Sequence, residues 1–240
     1  MNFQLIALAL WVFALGLSFG SFFNVFADRY PKGLSLLGRS HCDSCEHQLS
    51  AMDLIPVFSY FFLGGKCRYC RKPFSIEYSV VELTLGIIFL TFFLKFSVLD
   101  LNLILFLALT ALLFLIALID FKYTFIPDEL LIITLILALL KNGSSLSQFI
   151  LPAFVATGAF YLLHSLSKGR AMGFGDVKFV FVMGLILPAF WYALGLYIAF
   201  LTGGLISGIL VLTKVKKLKS VIAFGPFLSV GFLISLWLFL

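Results

Sequence analysis

The sequence predicts an all-α protein that crosses a membrane about eight times. Of its 240 residues, 62% are hydrophobic and only 12% are charged. Soluble proteins are about half apolar and a quarter charged, so this composition indicates a polytopic membrane protein. The apolar residues fall in blocks of roughly 20, the length that an α-helix needs to cross a bilayer. One polar interval, 28–78, follows the first block and contains all four cysteines.

The first apolar block, at about residues 4–27, is predicted to be a retained transmembrane helix within a first segment, 1–27. A secretion signal would have a basic segment before its apolar core and a small-x-small cleavage site after it. Neither pattern is present around this block. The interval that follows, 28–78, is the only sizeable segment that we expect to lie wholly in water.

Seven further helices are predicted where apolar blocks alternate with short polar breaks, within a membrane domain at 79–240. Their approximate bounds are 79–97, 101–119, 127–141, 148–166, 175–188, 190–212 and 221–240. Pro188 leaves two interpretations open for the sixth and seventh of the eight helices. A proline at this place marks either a tight turn between two helices or a kink within one.

The positions of the basic residues predict the topology, because short cytoplasmic loops are enriched in Lys and Arg. If the first helix starts outside, 15 of the 17 basic residues lie on the cytoplasmic side, and only Lys95 and Lys141 lie outside. This split favours eight spans with both termini outside. The net charge of +6 is then explained by topology, and the lysine run at 214–219 is read as a membrane boundary. The charge gives no reason to expect nucleic acid as a partner.

Two aspartates are predicted to lie at the same depth, on the cytoplasmic face. Asp120 ends the third helix, and Asp176 opens the sixth in the stretch Met172-Gly173-Phe174-Gly175-Asp176. Acids at a membrane boundary are costly and indicate a functional site. Two carboxylates a few ångströms apart share a proton, so one can take a proton from water while the other protonates a leaving group. That chemistry is what amide hydrolysis needs.

The glycines at Gly173 and Gly175 are expected to let another backbone approach the acid and to permit backbone angles closed to other residues. An alternative stays open, in which the two aspartates are ordinary boundary acids paired with Lys122 and Lys178. A third acid, Asp128, follows a proline and suits the first turn of the fourth helix better than catalysis, because an acid there complements the helix dipole.

The soluble interval contains a double CxxC motif, with 21 residues between the pairs Cys42-x-x-Cys45 and Cys67-x-x-Cys70. Four thiolates at this spacing predict a closed tetrahedral Zn²⁺ site with a structural role. Two disulfides or four reduced thiols are the alternatives, but disulfides do not persist in the cytoplasm. His41 and His47 flank the first pair and are interpreted as surface residues, and no role is assigned to His164.

These features together resemble the type IV prepilin peptidase family, and the similarity covers nearly the whole chain. The matching pieces are Gly20-Ser21-Phe22-Phe23-Asn24-Val25 with Arg29 and Pro31, the two CxxC pairs, Glu77-Tyr78 through Glu82, Asp120 with Ile126-Pro127-Asp128, Gly173-Phe174-Gly175-Asp176, and Phe224-Gly225-Pro226-Phe227. The resemblance implies a GxGD aspartic protease of the bacterial inner membrane. It implies Asp120 and Asp176 as the catalytic acids, with Gly173 and Gly175 supporting the catalytic loop.

The resemblance also implies the substrates and a second activity. Members of the family cut the basic leader of prepilins and pseudopilins after a glycine at the cytoplasmic face. They then methylate the new N-terminal residue with S-adenosylmethionine, an activity associated with the cysteine-bearing segment. Glu77 and Glu82 are candidates for binding the methyl donor, and the alternative is that they are boundary acids paired with Arg71 or Lys72. The physiological substrate and the oligomeric state stay open.

Two other functions account for part of the pattern. An intramembrane aspartyl protease of the presenilin or signal-peptide-peptidase kind would explain the GxGD stretch, but it would leave the four cysteines without a use. A transporter or assembly scaffold could use membrane acids for protons and zinc for loop stability. That class predicts acids deep within the spans, whereas the two aspartates here are expected at one face.

Overall fold

The computed structural model describes residues 3–170, 172–215 and 222–240. Within these ranges the chain forms nine α-helices and no β-strand. The helices are α1 (Phe3–Arg29), α2 (Phe58–Leu63), α3 (Glu77–Phe96), α4 (Leu101–Tyr123), α5 (Asp128–Asn142), α6 (Ser147–Leu166), α7 (Phe174–Gly184), α8 (Ala189–Leu212) and α9 (Gly225–Phe239). The predicted helical class is confirmed. The lysines at 216, 217 and 219, on which part of the topology prediction rests, lie outside the described residues.

A helix forms at each of the eight predicted places, but only five of those in the described ranges are long and apolar enough to cross a membrane. These five are α1, α3, α4, α6 and α8. The other three, α5, α7 and α9, have 15, 11 and 15 residues. At 1.5 Å per residue an 11-residue helix rises roughly 16 Å, about half of the hydrocarbon thickness. The count of eight transmembrane helices is therefore not confirmed.

Pro188 separates two helices and does not kink one. It is the residue before α8, with φ −58° and ψ 156°, and α7 has already ended at Gly184. The turn between them is held by the Tyr192 hydroxyl, which donates to the carbonyl of Val180 at 3.0 Å. The hydroxyl links the start of α8 to the middle of α7, so this short pair is fixed internally.

The chain divides into two compact units, Met1–Leu103 and Ile104–Leu240. In the first unit, α1 and α3 pack with their backbones in close contact. A Cβ atom on Gly16 would lie 2.8 Å from the Cα of Gly86, and one on Gly20 would lie 2.6 Å from the Cα of Glu82. Such distances are shorter than van der Waals contact, so the glycines make this helix crossing possible. The crossing places Glu82 directly against α1.

In the second unit, α7 is the most enclosed helix and contacts α5, α6, α8 and α9. Three of its side chains, Phe179, Val180 and Met183, are completely buried. Gly184 brings it against α6, because a Cβ there would lie 2.6 Å from the Cα of Ala153. Buried side chains are closely packed and move little, so α7 is a rigid support for the acid in its first turn.

Candidate functional sites

Asp120 lies in the last turn of α4 and is only 5% exposed. Its Oδ2 accepts a hydrogen bond of 2.9 Å from the backbone N–H of Gly225, the first residue of α9. A helix N-terminus carries partial positive charge, so it favours a carboxylate at this place. A Cβ on residue 225 would lie 2.6 Å from the same oxygen, so only glycine fits here without displacing the acid.

Asp176 lies in the first turn of α7 and is 8% exposed. Its Oδ2 accepts the backbone N–H of Gly173 at 3.2 Å, which caps the helix and fixes the carboxylate. Its helix, α7, contacts α9, whose first residue holds Asp120. The structure thus brings together, within one unit, two buried carboxylates separated by 55 intervening residues in the sequence.

Lys178 does not pair with Asp176. Its ammonium group forms an ion pair with the Asp128 carboxylate, the first residue of α5, and lies over the Phe174 ring at 5.5 Å. Asp128 lies in the first turn of α5, as predicted from the sequence. The lysine that could have neutralised Asp176 as an ordinary boundary acid is therefore directed to another carboxylate.

The two glycines next to Asp176 have different surroundings. Gly173 has φ −71° and ψ 154°, angles that any residue adopts, so the expected need for special backbone angles is wrong at this position. Gly175 makes a close approach, because a Cβ there would lie 3.3 Å from the Cβ of Ile126. Ile126 belongs to the short segment between α4 and α5, so Gly175 lets that segment pack beside the acid.

Sequence reasoning missed two residues of this site. Gly225 was part of a matching motif, but its contact with Asp120 spans 105 residues and no local pattern predicts it. His164 had no partner nearby in sequence, yet its Nδ1 lies 2.9 Å from the carbonyl oxygen of Met172. That contact fixes the residue just before Gly173, where the first turn of α7 begins.

The four cysteines form one cluster, and their sulfur atoms all lie within 4.8 Å of one another. The Cys42 and Cys70 sulfurs are 3.8 Å apart, too far for a disulfide, and all four are free thiols. A tetrahedron with Zn–S bonds of about 2.3 Å has edges of about 3.8 Å, so the cluster has the size of a zinc site. His47 lies outside it and packs against Tyr69, with ring centroids 3.6 Å apart and ring planes tilted by 34°.

The two CxxC pairs are built alike. The backbone N–H of Cys42 donates to the backbone carbonyl of His47 at 3.0 Å. In the same way, the backbone N–H of Cys67 donates to the backbone carbonyl of Lys72 at 2.9 Å. The residue after each pair has positive φ, 58° at Glu46 and 61° at Arg71. Backbone N–H groups of Ser44 and Cys45 lower the pKa of the Cys42 thiol to about 7. A thiol with that pKa is readily available as the thiolate that a metal binds.

A cavity of about 500 Å³ lies in the first unit, between α1, the cysteine-bearing segment and the start of α3. This volume is within the range of small-molecule sites. Its lining includes four acids and four bases: Asp28, Asp43, Asp53, Glu82, Arg29, Lys32, Arg68 and Lys72. A cavity lined by both signs of charge suits a ligand that itself carries both signs.

Only one of the two predicted glutamates faces this cavity. Glu82 lines it and is 7% exposed, whereas Glu77 is exposed and is not part of the lining. The Glu82 Oε2 accepts the backbone N–H of Val57 at 2.7 Å. Val57 has φ 64° and ψ −49°, a strained γ-turn conformation for a β-branched residue. The buried carboxylate therefore stabilises a strained turn beside the cavity.

Asp53 fixes the wall of the cavity formed by the cysteine-bearing segment. Its carboxylate accepts hydrogen bonds from the Ser50 hydroxyl at 2.7 Å, the Ser50 N–H at 3.0 Å and the Arg68 Nε at 2.7 Å. Burial alone would raise the pKa of Asp53, but the bonds from Ser50 and Arg68 outweigh burial and lower it. Arg68 follows Cys67, so this ion pair joins the turn near Asp53 to the second cysteine pair.

Two family profiles match this chain in succession. The bacterial peptidase A24 N-terminal domain matches residues 14–96, which include the four cysteines and Glu82. The type IV leader peptidase family matches residues 107–208, which include Asp120 and Asp176. The two profiles therefore divide the candidate sites between them.

Several bacterial proteins are similar over most of the chain, and each is named prepilin leader peptidase/N-methyltransferase. The protein of Bacillus subtilis (strain 168) is 29% identical over 228 residues, covering 93% of this chain and 92% of its own. That of Klebsiella pneumoniae is 33% identical over 200 residues, covering 77% and 86%. That of Pectobacterium carotovorum subsp. carotovorum is 31% identical over 251 residues, covering 90% and 88%. No solved structure matches the chain.

Proposed function

The chain belongs to the type IV leader peptidase family, and on that premise we propose that it removes the leader of prepilins and pseudopilins and then methylates the new N-terminal residue. The observation that carries the proposal is the pair of buried carboxylates, Asp120 and Asp176, which lie in one unit and are each held by a glycine N–H. Both acids are at helix ends, whereas a proton-transporting protein would place them deep within its spans. The names of the relatives, which combine the two activities, support the second half of the proposal.

For leader removal, Asp120 and Asp176 share one proton between them. The ionised carboxylate takes a proton from a water molecule, whose oxygen attacks the scissile carbonyl carbon. The protonated carboxyl then gives its proton to the departing nitrogen, so the amide bond breaks without a covalent enzyme intermediate. The two backbone N–H groups, on Gly225 and Gly173, each hold one Oδ2, and they fix the carboxylates before the substrate arrives.

We place this pair at the cytoplasmic face of the bacterial inner membrane. The topology with both termini outside puts 15 of 17 basic residues on the cytoplasmic side. It requires α5, α7 and α9 to complete the set of eight crossings despite their short lengths. At that face the pair would meet the junction between the basic leader and the apolar helix of a prepilin.

For methyl transfer, the cavity of the first unit is the proposed site of S-adenosylmethionine. When bound, this donor supplies an electrophilic methyl group, and the peptide supplies the amine that receives it. The donor carries a carboxylate together with ammonium and sulfonium cations, which fits a cavity lined by four acids and four bases. Glu82 is the glutamate with access to it, and the four-cysteine cluster would hold structural Zn²⁺ beside it.

The proposal is tested by incubating the purified full chain with a full-length prepilin and labelled S-adenosylmethionine. Mass spectrometry of the product should find a leader cut after a glycine and one methyl group on the new N-terminus. Label should enter the cleaved product and not the intact prepilin, because the acceptor amine exists only after cleavage. Cleavage without methylation would restrict the protein to its peptidase activity, and an uncut prepilin would contradict the proposal.

A further inference from the structure

One buried side-chain amide in the first unit has a hydrogen-bond partner for its nitrogen but none for its oxygen among the described residues. Asn24 lies in α1 and is 3% exposed. Its Nδ2 donates to the carbonyl oxygen of Tyr78 at 3.0 Å, which fixes the direction of the amide. Its Oδ1 is fully buried and has no hydrogen-bond partner among the described residues. A buried acceptor without a donor costs folding free energy, so such a group calls for an explanation.

The position of Asn24 points to a ligand. It lines the same cavity as Glu82, on a wall formed by one face of α1 and the start of α3. Ser21, Val25 and Asp28 of α1 also line the cavity, at the spacing that puts residues on one face of a helix. This wall therefore carries acceptors from two helices: the Asn24 Oδ1, which has no partner among the described residues, and the Glu82 carboxylate, which accepts from Val57.

Two acceptors on one cavity wall call for a group with several hydrogens to donate. A primary ammonium has three N–H donors and a positive charge, so it can satisfy an amide oxygen and a carboxylate at once. A carboxylate or phosphate ligand would be repelled by the same wall. The cavity is also lined by bases, such as Arg29 and Lys72, which suit the anionic end of a ligand.

We propose that Asn24 Oδ1 and the Glu82 carboxylate form a binding site for a primary ammonium group. The inference rests on the proposed methyl transfer, and that reaction offers two sources of such a group. One is the α-ammonium of the methyl donor, and the other is the α-ammonium of the newly exposed peptide N-terminus. The two sources present the same chemistry to Asn24 and are separated by experiment.

The test compares ligands with and without the ammonium group in equilibrium binding to the detergent-solubilised full chain. S-adenosylhomocysteine carries the group and 5′-methylthioadenosine lacks it. A leaderless pilin peptide with a free N-terminus carries it, and the N-acetylated peptide lacks it. The variant Asn24→Leu removes the acceptor at similar side-chain volume. Thr110→Val is the matched control, because Thr110 also has a buried hydroxyl without a partner but does not line the cavity.

The site requires that Asn24→Leu weaken one ammonium-bearing probe by roughly tenfold or more, the loss expected for a hydrogen bond to a charged group. The matching probe that lacks the ammonium should bind to Asn24→Leu as tightly as to the unaltered protein. Thr110→Val should bind both probes of the pair as the unaltered protein does. Selective loss of S-adenosylhomocysteine assigns the site to the methyl donor. Selective loss of the free-amine peptide assigns it to the substrate.

Unchanged binding of both ammonium-bearing probes to Asn24→Leu would overturn the ammonium site and leave methyl transfer intact. If Asn24→Leu weakens all four probes equally, Glu82→Gln decides, because it keeps an acceptor for Val57 and removes the charge. If Glu82→Gln does not selectively weaken the binding of an ammonium-bearing probe, the ammonium site is also overturned. Failure of the unaltered protein to bind any probe would remove the proposed methyl transfer itself, and the ammonium site with it.

Discussion

The backbone N–H of Gly225 donates to Oδ2 of Asp120 across 2.9 Å and joins the last turn of α4 to the first residue of α9. The contact uses a helix N-terminus to hold a carboxylate at a fixed place. It also makes residue 225 part of the candidate site, although glycine has no side chain to take part in the chemistry.

Gly225→Ala is therefore expected to damage leader cleavage severely. The added Cβ would lie 2.6 Å from Oδ2 and 3.0 Å from Cγ of Asp120, so the acid must move. A displacement of about 1 Å can cost on the order of 100-fold in rate. The measurement is kcat on a prepilin, with Gly204→Ala as control, because a Cβ on Gly204 meets nothing within 4 Å. Equal kcat for the two variants would show that the Gly225 contact does not position Asp120.

Gly175→Leu should impair cleavage while both acids remain. A Cβ at residue 175 is already 3.3 Å from Ile126, and a longer side chain would push apart α7 and the segment after α4. We expect a fall in kcat of at least roughly tenfold from misplacement of Asp176. Gly208→Leu is the matched control, since its Cβ has open space. Normal activity of Gly175→Leu would refute the positioning role.

The four-cysteine cluster should bind one Zn²⁺ per chain, because its sulfurs have the spacing of a closed tetrahedral site. Cys42→Ser should lose the metal and methyl transfer while leader cleavage continues, because the acids lie in the other family profile. Metal analysis of protein purified without chelator, with both activities assayed, tests this. Absence of zinc from the unaltered protein would count against the metal, and loss of both activities together would count against the division of roles.

Asp53 should contribute a pH-dependent part of the stability of the first unit. Its pKa is lowered in the folded state, so its contribution is fully present above its unfolded value of about 4 and is lost as pH falls through the folded pKa. Asp53→Asn should therefore lower Tm at neutral pH, and the difference from the unaltered protein should shrink as pH falls below about 4. Asp43→Asn, at an exposed position, is the control. A Tm difference that stays constant down to the lowest pH would contradict the ionic origin.

The positions of the helices and of both aspartates could be predicted from the sequence, because apolar blocks and boundary charges are local signals. The partner of Lys178 could not be predicted from the sequence. Residues two apart on a helix point in opposite directions, so Lys178 is directed away from Asp176 and reaches Asp128 of α5. A helical rotation of about 140° likewise separates Glu77 from Glu82, and only the latter faces the cavity.

Contacts between distant segments were also beyond the sequence. The Gly225 contact with Asp120 and the Val57 contact with Glu82 depend on how helices pack. The length of α7 depends on the tertiary turn that ends it at Leu185, before α8. Hydropathy counts apolar residues across such a turn, so the predicted helix at 175–188 is longer than α7.

The central claim is that Asp120 and Asp176 act as one catalytic pair. The most direct measurement is the single-turnover rate of leader cleavage for Asp120→Asn, Asp176→Asn and the double variant, with Asp128→Asn as control. Residues that act as a unit have non-additive effects, so each single variant should lose activity nearly as completely as the double. Asp128→Asn should cleave at a rate close to that of the unaltered protein. Substantial cleavage by either Asp120→Asn or Asp176→Asn would contradict the shared-proton mechanism.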